Sequence, residues 1–102
     1  MMTEFHAVNC IIERGGFSSE RTFQIKLANE EMAVGTANVE YLRTKDWGEL
    51  DDETPAYGEA IEGYVMCRVI ERINENTVKI DVPSFDLVIV PQDILTDLYA
   101  ES

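Results

Sequence analysis

Glu31-Met32-Ala33-Val34-Gly35-Thr36-Ala37-Asn38-Val39-Glu40-Tyr41-Leu42-Arg43 is the stretch whose reading decides the fold. Met32 and Val34 fall on one parity of a two-residue period, Val39 and Tyr41 on the other, with Gly35 at the change. Strand side chains alternate between two faces, so an apolar set cannot change parity without a local irregularity. The pattern predicts a strand with a bulge or sharp bend near Gly35. A long strand kinked at glycine is how a small sheet turns a corner and curls toward closure. The expected architecture is a barrel, not a flat sheet.

The chain on either side supplies the strands such a barrel needs. Toward the N-terminus, His6, Val8, Cys10 and Ile12 share one parity, and Gly15-Gly16-Phe17-Ser18-Ser19 interrupts them with turn residues. Phe23, Ile25 and Leu27 then alternate with Thr22, Gln24 and Lys26, giving a hairpin that Asn29-Glu30 turns into the bent strand. Toward the C-terminus, Ile61, Val65, Cys67 and Val69 alternate with Glu62, Tyr64, Met66 and Arg68. After a turn at Asn74-Glu75-Asn76, Val78, Ile80 and Val82 alternate with Thr77, Lys79 and Asp81, a second hairpin. Pro83-Ser84 ends it, and Leu87 to Val90 reads as a short final strand. Behind Pro91, the spacing of Ile94, Leu95 and Leu98 predicts one or two helical turns over Gln92 to Tyr99, packed on a barrel end. Composition agrees: 25 β-branched residues outnumber 13 Leu and Ala, and branched side chains suit pleated sheets.

Within this pattern, Thr77-Val78-Lys79-Ile80-Asp81-Val82-Pro83, a turn, Leu87-Val88-Ile89-Val90-Pro91 and Gln92-Asp93-Ile94-Leu95 resemble the end of an SH3-like small barrel. Such barrels close with strand, turn, strand and a single 3-10 turn after a Val-Pro step. The resemblance covers about a fifth of the chain, implies a fold and carries no chemistry, since small barrels host many functions. Sm-like and OB barrels fit the same element order. The expected fold is therefore all-β: one small antiparallel barrel of five to six strands spanning residues 1–102, with a short C-terminal helical turn and a long loop at 44–58.

Length and charge set bounds on function. A chain of 102 residues allows one domain, and surface scaling lets it bury about 65% of its unfolded surface, enough for a core without metal or disulfide staples. No apolar run approaches the roughly 18 residues that span a membrane, and Met1-Met2-Thr3-Glu4-Phe5-His6 lacks the basic and apolar regions of a secretory signal. The net charge is −12, from 20 acidic and 8 basic residues, which opposes direct binding to a phosphate backbone. Cys10 and Cys67 each lie within an apolar run and follow no disulfide spacing, so two reduced thiols in a cytoplasmic protein are expected.

Catalytic residues are sparse. His6 is the one histidine. Cys10 lies four residues along the same strand, roughly 13 Å away when extended, too far to be its partner in nucleophilic catalysis. Cys67 could approach His6 only if the first and fourth strands paired. One His and two Cys without a Cys-x-x-Cys do not make a zinc site, and Asp51-Asp52-Glu53 lacks the alternating ligands and central glycine of a calcium loop. No phosphate-cradling glycine motif is present. No enzyme activity, metal or cofactor is expected.

The informative feature is the segment 44–62, which holds seven acids against Lys45 alone, a net −6 and half the total charge. It also carries Trp47 and Tyr57, residue types favoured as interface anchors. Trp47, Asp51, Asp52, Glu53 and Tyr57 are the candidate binding residues, with charge steering encounter and rings supplying affinity toward a protein with a basic surface. The competing reading has both rings folded inward to pin the loop. Tyr64, Met66 and Arg68 share one strand face and form a candidate stripe for subunit contact in a homo-oligomer. The expected function is a non-enzymatic protein–protein binding or assembly module. Two alternatives are an acidic nucleic-acid mimic and a nucleic-acid-binding small barrel of Sm-like type, the latter requiring Arg14, Arg21, Arg68 and Arg72 on one face.

Overall fold

Strands form where the two-residue alternation runs, and burial follows the alternation. The computed structural model describes the backbone of residues 2–101 and the side-chain surroundings of residues 6–96. Eight strands follow in order: β1 (Met2–Arg14), β2 (Glu20–Lys26), β3 (Met32–Asn38), β4 (Leu42–Thr44), β5 (Ile61–Arg72), β6 (Thr77–Val82), β7 (Phe85–Pro91) and β8 (Leu95–Glu101). All pairings are antiparallel, and the main path runs β3-β2-β1-β5-β6-β7, curled into a nearly closed small barrel. On one edge β1 pairs with β5 through His6 to Ile12; on the other it pairs first with β8 and then with β2. Val8, Cys10 and Ile12 of β1, Phe23 and Ile25 of β2, Val65 of β5, Val78, Ile80 and Val82 of β6 and Val90 of β7 fill the interior with Leu42 and Leu50. Each large side chain so buried contributes about 1.5–3 kcal/mol.

The corner expected at Gly35 lies elsewhere. The β2–β3 register is unbroken from Glu20↔Asn38 to Lys26↔Met32, with Gly35 opposite Phe23. The change of parity occurs in a 3-10 turn at Val39–Tyr41, capped by Asn38, whose Oδ1 accepts the Glu40 amide at 3.0 Å. This turn swings the chain from β3 to β4, which pairs with β5. Two further bends are register shifts, between Val69 and Glu71 of β5 and between Ile80 and Val82 of β6. Gly35 answers a different need. A Cβ there would sit 2.7 Å from the Ser84 Cβ and 2.9 Å from the Phe85 ring, so glycine admits the β6–β7 turn.

The C-terminal helix also contracts. Gln92–Ile94 is one 3-10 turn, after which Leu95–Glu101 extends as β8 against Met2–Val8. Helical spacing lost because β1, at 13 residues, outruns β2 and would leave its first half with an unpaired edge. A strand satisfies those backbone groups; a helix does not.

Closure across the ends of the path is made without a ladder. The Pro83-Ser84 turn, with Ser84 at φ 77°, points its hydroxyl at β3: Ser84 Oγ accepts the Thr36 amide at 2.8 Å and donates to the Thr36 carbonyl at 2.6 Å. At the other end the Ala28 amide donates to the Ile89 carbonyl at 2.9 Å. Inside, Phe23 and Phe85 meet edge to face at 6.2 Å.

Candidate functional site

The acidic loop is tied to the barrel by a residue that its sequence neighbourhood does not single out. Arg21, at the start of β2, is fully buried, on the same strand face as Phe23 and Ile25. Its Nε donates to the Thr54 carbonyl at 3.0 Å and Nη2 to the Asp51 carbonyl at 3.0 Å, while Nη1 donates to the Ser18 and Glu20 carbonyls, both at 2.8 Å. The planar guanidinium presents five donors in fixed directions, so one side chain holds two loops at once. Burial pushes the Arg21 pKa down, and Asp52 and Asp51 oppose that shift. Beside it, Arg14 donates to the Asp52 carbonyl and its guanidinium lies 5.1 Å above the Tyr57 ring.

The loop has its own internal frame. Asp51 Oδ1 accepts from the Thr54 hydroxyl at 2.7 Å and from the Glu53 amide at 2.9 Å, and these bonds hold its carboxyl below the usual carboxylate range. Leu50 and Pro55 are buried, giving the loop two apolar anchors. Trp47, at φ 67°, sits in a tight turn in which its amide donates to the Thr44 carbonyl at 2.9 Å and the Gly48 amide to Thr44 Oγ1 at 3.0 Å.

The candidate residues thus part company. Trp47 folds back and stacks on Tyr64 with centroids 4.3 Å apart and planes at 7°, so these two, read as separate features, form one half-buried aromatic pair. Tyr57 turns outward and is 83% exposed. Asp51 faces its own loop, whereas the Asp52 and Glu53 side chains are exposed with Asp46, Glu49 and Glu59. Among the described residues no ion pair reaches these exposed acids; Lys45 pairs instead with Glu62 at 3.4 Å. On the β5 stripe, Met66 is half-buried and Arg68 pairs with Asp81 at 2.8 Å. The four arginines are dispersed: Arg21 is inside, Arg14 is on the loop, Arg68 is on Asp81 and Arg72 donates to Gln92 at 3.0 Å. Comparisons with family models, curated proteins and solved structures find no match.

The thiols are placed by the β1–β5 ladder. Cys10 faces Gly63, and His6 stands directly opposite Cys67, the pairing that would bring the histidine and this thiol together. Cys10 is buried, which pushes its pKa up to about 12 and suppresses the thiolate. Cys67 is half-buried, and neither cysteine is in a disulfide. Among the described residues no three His, Cys, Asp or Glu gather as a metal-binding group, and no helix is long and apolar enough to cross a membrane.

Proposed function

We propose that the protein is a non-enzymatic binding module of SH3-like small-barrel type, docking through its 44–58 loop on a basic face of another protein. One observation carries this reading: the exposed carboxylates of Asp46, Glu49, Asp52 and Glu53, without ion-pair partners among the described residues, ride on a loop fixed from below by a buried arginine. Fixing the loop before encounter lowers the entropy lost on binding, and unneutralised acids steer a basic partner toward it. Tyr57, exposed beside Asp52 and Glu53, supplies the apolar contact, while Trp47 serves as the loop's inner prop. Two unbridged thiols suit a reducing cytoplasm.

The test is a triple variant, Asp52→Asn, Glu53→Gln and Tyr57→Ala, which keeps the Asp51 and Thr54 carbonyls that Arg21 holds. Compared with the native chain in affinity capture from its own cell extract, it should lose the partner by about tenfold or more, and capture by the native chain should weaken with salt. A control variant, Glu75→Gln, should capture normally. Undiminished capture by the triple variant would remove the loop from the interface.

A further inference from the structure

The β1–β5 ladder sets His6 directly opposite Cys67. Directly opposed residues of an antiparallel pair share one face, with Cβ atoms about 4.5–5.5 Å apart. An imidazole and a thiol on such a pair are within reach of proton transfer. On its other side His6 stands opposite Asp97 of β8, so these three residues occupy one row across three neighbouring strands. Two residues along, the matching row is Val65, Val8 and Leu95, which belongs to the core and its margin. The His6 row therefore lies at the end of the core layer.

The two cysteines differ in what they can do. Cys10 faces Gly63 and is buried, which holds its pKa near 12 and its sulfur protonated. Cys67 is half-buried and lines an open cleft of about 440 Å³ with Tyr41, Met66, Arg68, Asp81 and Val82. His6 is half-buried, with Nε2 shielded from solvent. Cys67 thus borders a histidine in its ladder and open space in the cleft. The two cysteines belong to ladder positions four residues apart, roughly 13 Å along the strands, too far to bridge.

We propose that Cys67 is a reactive thiol, assisted by His6, that a small neutral hydroperoxide entering the cleft oxidises to a sulfenic acid. The imidazole takes the thiol proton, and the sulfur attacks one peroxide oxygen as the O–O bond breaks. The departing hydroxide or alkoxide takes the proton back from the imidazolium and leaves as water or alcohol. Sulfur loses the electron pair that the peroxide gains. With Cys10 out of reach, the sulfenic acid condenses with a small external thiol, forming a mixed disulfide and releasing water. Charge selects a neutral oxidant: Arg68 in the cleft is already paired with Asp81 at 2.8 Å, and a chain of net charge −12 repels anions. None of these residues belongs to the 44–58 loop.

The test treats the full chain with hydrogen peroxide, traps sulfenic acid with dimedone and reads the two cysteines separately by peptide mass spectrometry. Cys67 should be labelled at least about tenfold faster than Cys10. Alkylation of Cys67 by iodoacetamide, followed against pH, should reach half its maximal rate about one pH unit lower in the native chain than in His6→Gln. At alkaline pH the two rates should coincide. The ionisable groups around Cys67 are His6 and Asp97 in its row and Tyr41, Arg68 and Asp81 at the cleft, and this variant changes His6 alone. Labelling of Cys67 no faster than Cys10 would overturn the proposal, as would a pH profile that His6→Gln leaves unmoved. Faster alkylation of His6→Gln at alkaline pH would show that the histidine only shields the thiol, and would overturn it too.

Discussion

Arg21 carries a full charge to a buried position and meets four carbonyl oxygens there. Carbonyl dipoles replace water around the cation, and the cation satisfies carbonyls that the loop would otherwise leave without donors. Arg21→Ala should lower stability by about 2–3 kcal/mol in urea denaturation, the range for stranding buried polar groups. Arg21→Lys should recover little of it, because an ammonium cannot reach four carbonyls spread around a plane. Full recovery by lysine would mean that charge alone anchors the loop. Nothing in the sequence distinguishes Arg21 from Arg14, which flanks the same turn. Its partners Asp51 and Thr54 lie 30 and 33 residues away, and only the closed fold brings them into reach. The division between Trp47 and Tyr57 was equally invisible, since the ring that Trp47 stacks on belongs to β5.

At the scale of elements, β3 shows how one residue can be identified for the wrong reason. Glycine at a parity change suggests a bend, yet Gly35 stands in a regular ladder and is small because Ser84 and Phe85 press on it. Gly35→Ala should destabilise the protein by about 1–2 kcal/mol: overpacking costs about 1–3 kcal/mol, and the stiffer unfolded chain returns about 0.4–1. The urea midpoint should fall with an unchanged slope. A neutral or stabilising result would mean that the Pro83-Ser84 turn yields freely and does not hold the closure to β3. The hairpins β1–β2 and β5–β6 were legible because alternation and turn residues are local signals. β8 was not, because its partner is the first half of β1, at the far end of the chain.

For the whole molecule, a charge of −12 on 102 residues means self-repulsion in the folded state. The Lys45–Glu62 and Arg68–Asp81 pairs lie at the surface, where such contacts contribute little to offset it. Raising sodium chloride from low to about 0.5 M should therefore raise the Tm by a few degrees. Partner capture should weaken over the same range. A Tm that falls with salt would show that attractive pairs dominate the surface. By itself the sequence determined the two hairpins, the all-β class, the acidic loop and the small number of histidines and cysteines, because alternation, turn chemistry and composition are written along the chain. Tertiary structure alone decided which strands pair across about 50 to 99 residues, which arginine is buried and which loop aromatic faces outward. Those outcomes depend on contacts between segments remote in sequence, where closing the barrel sets the geometry and local preference does not.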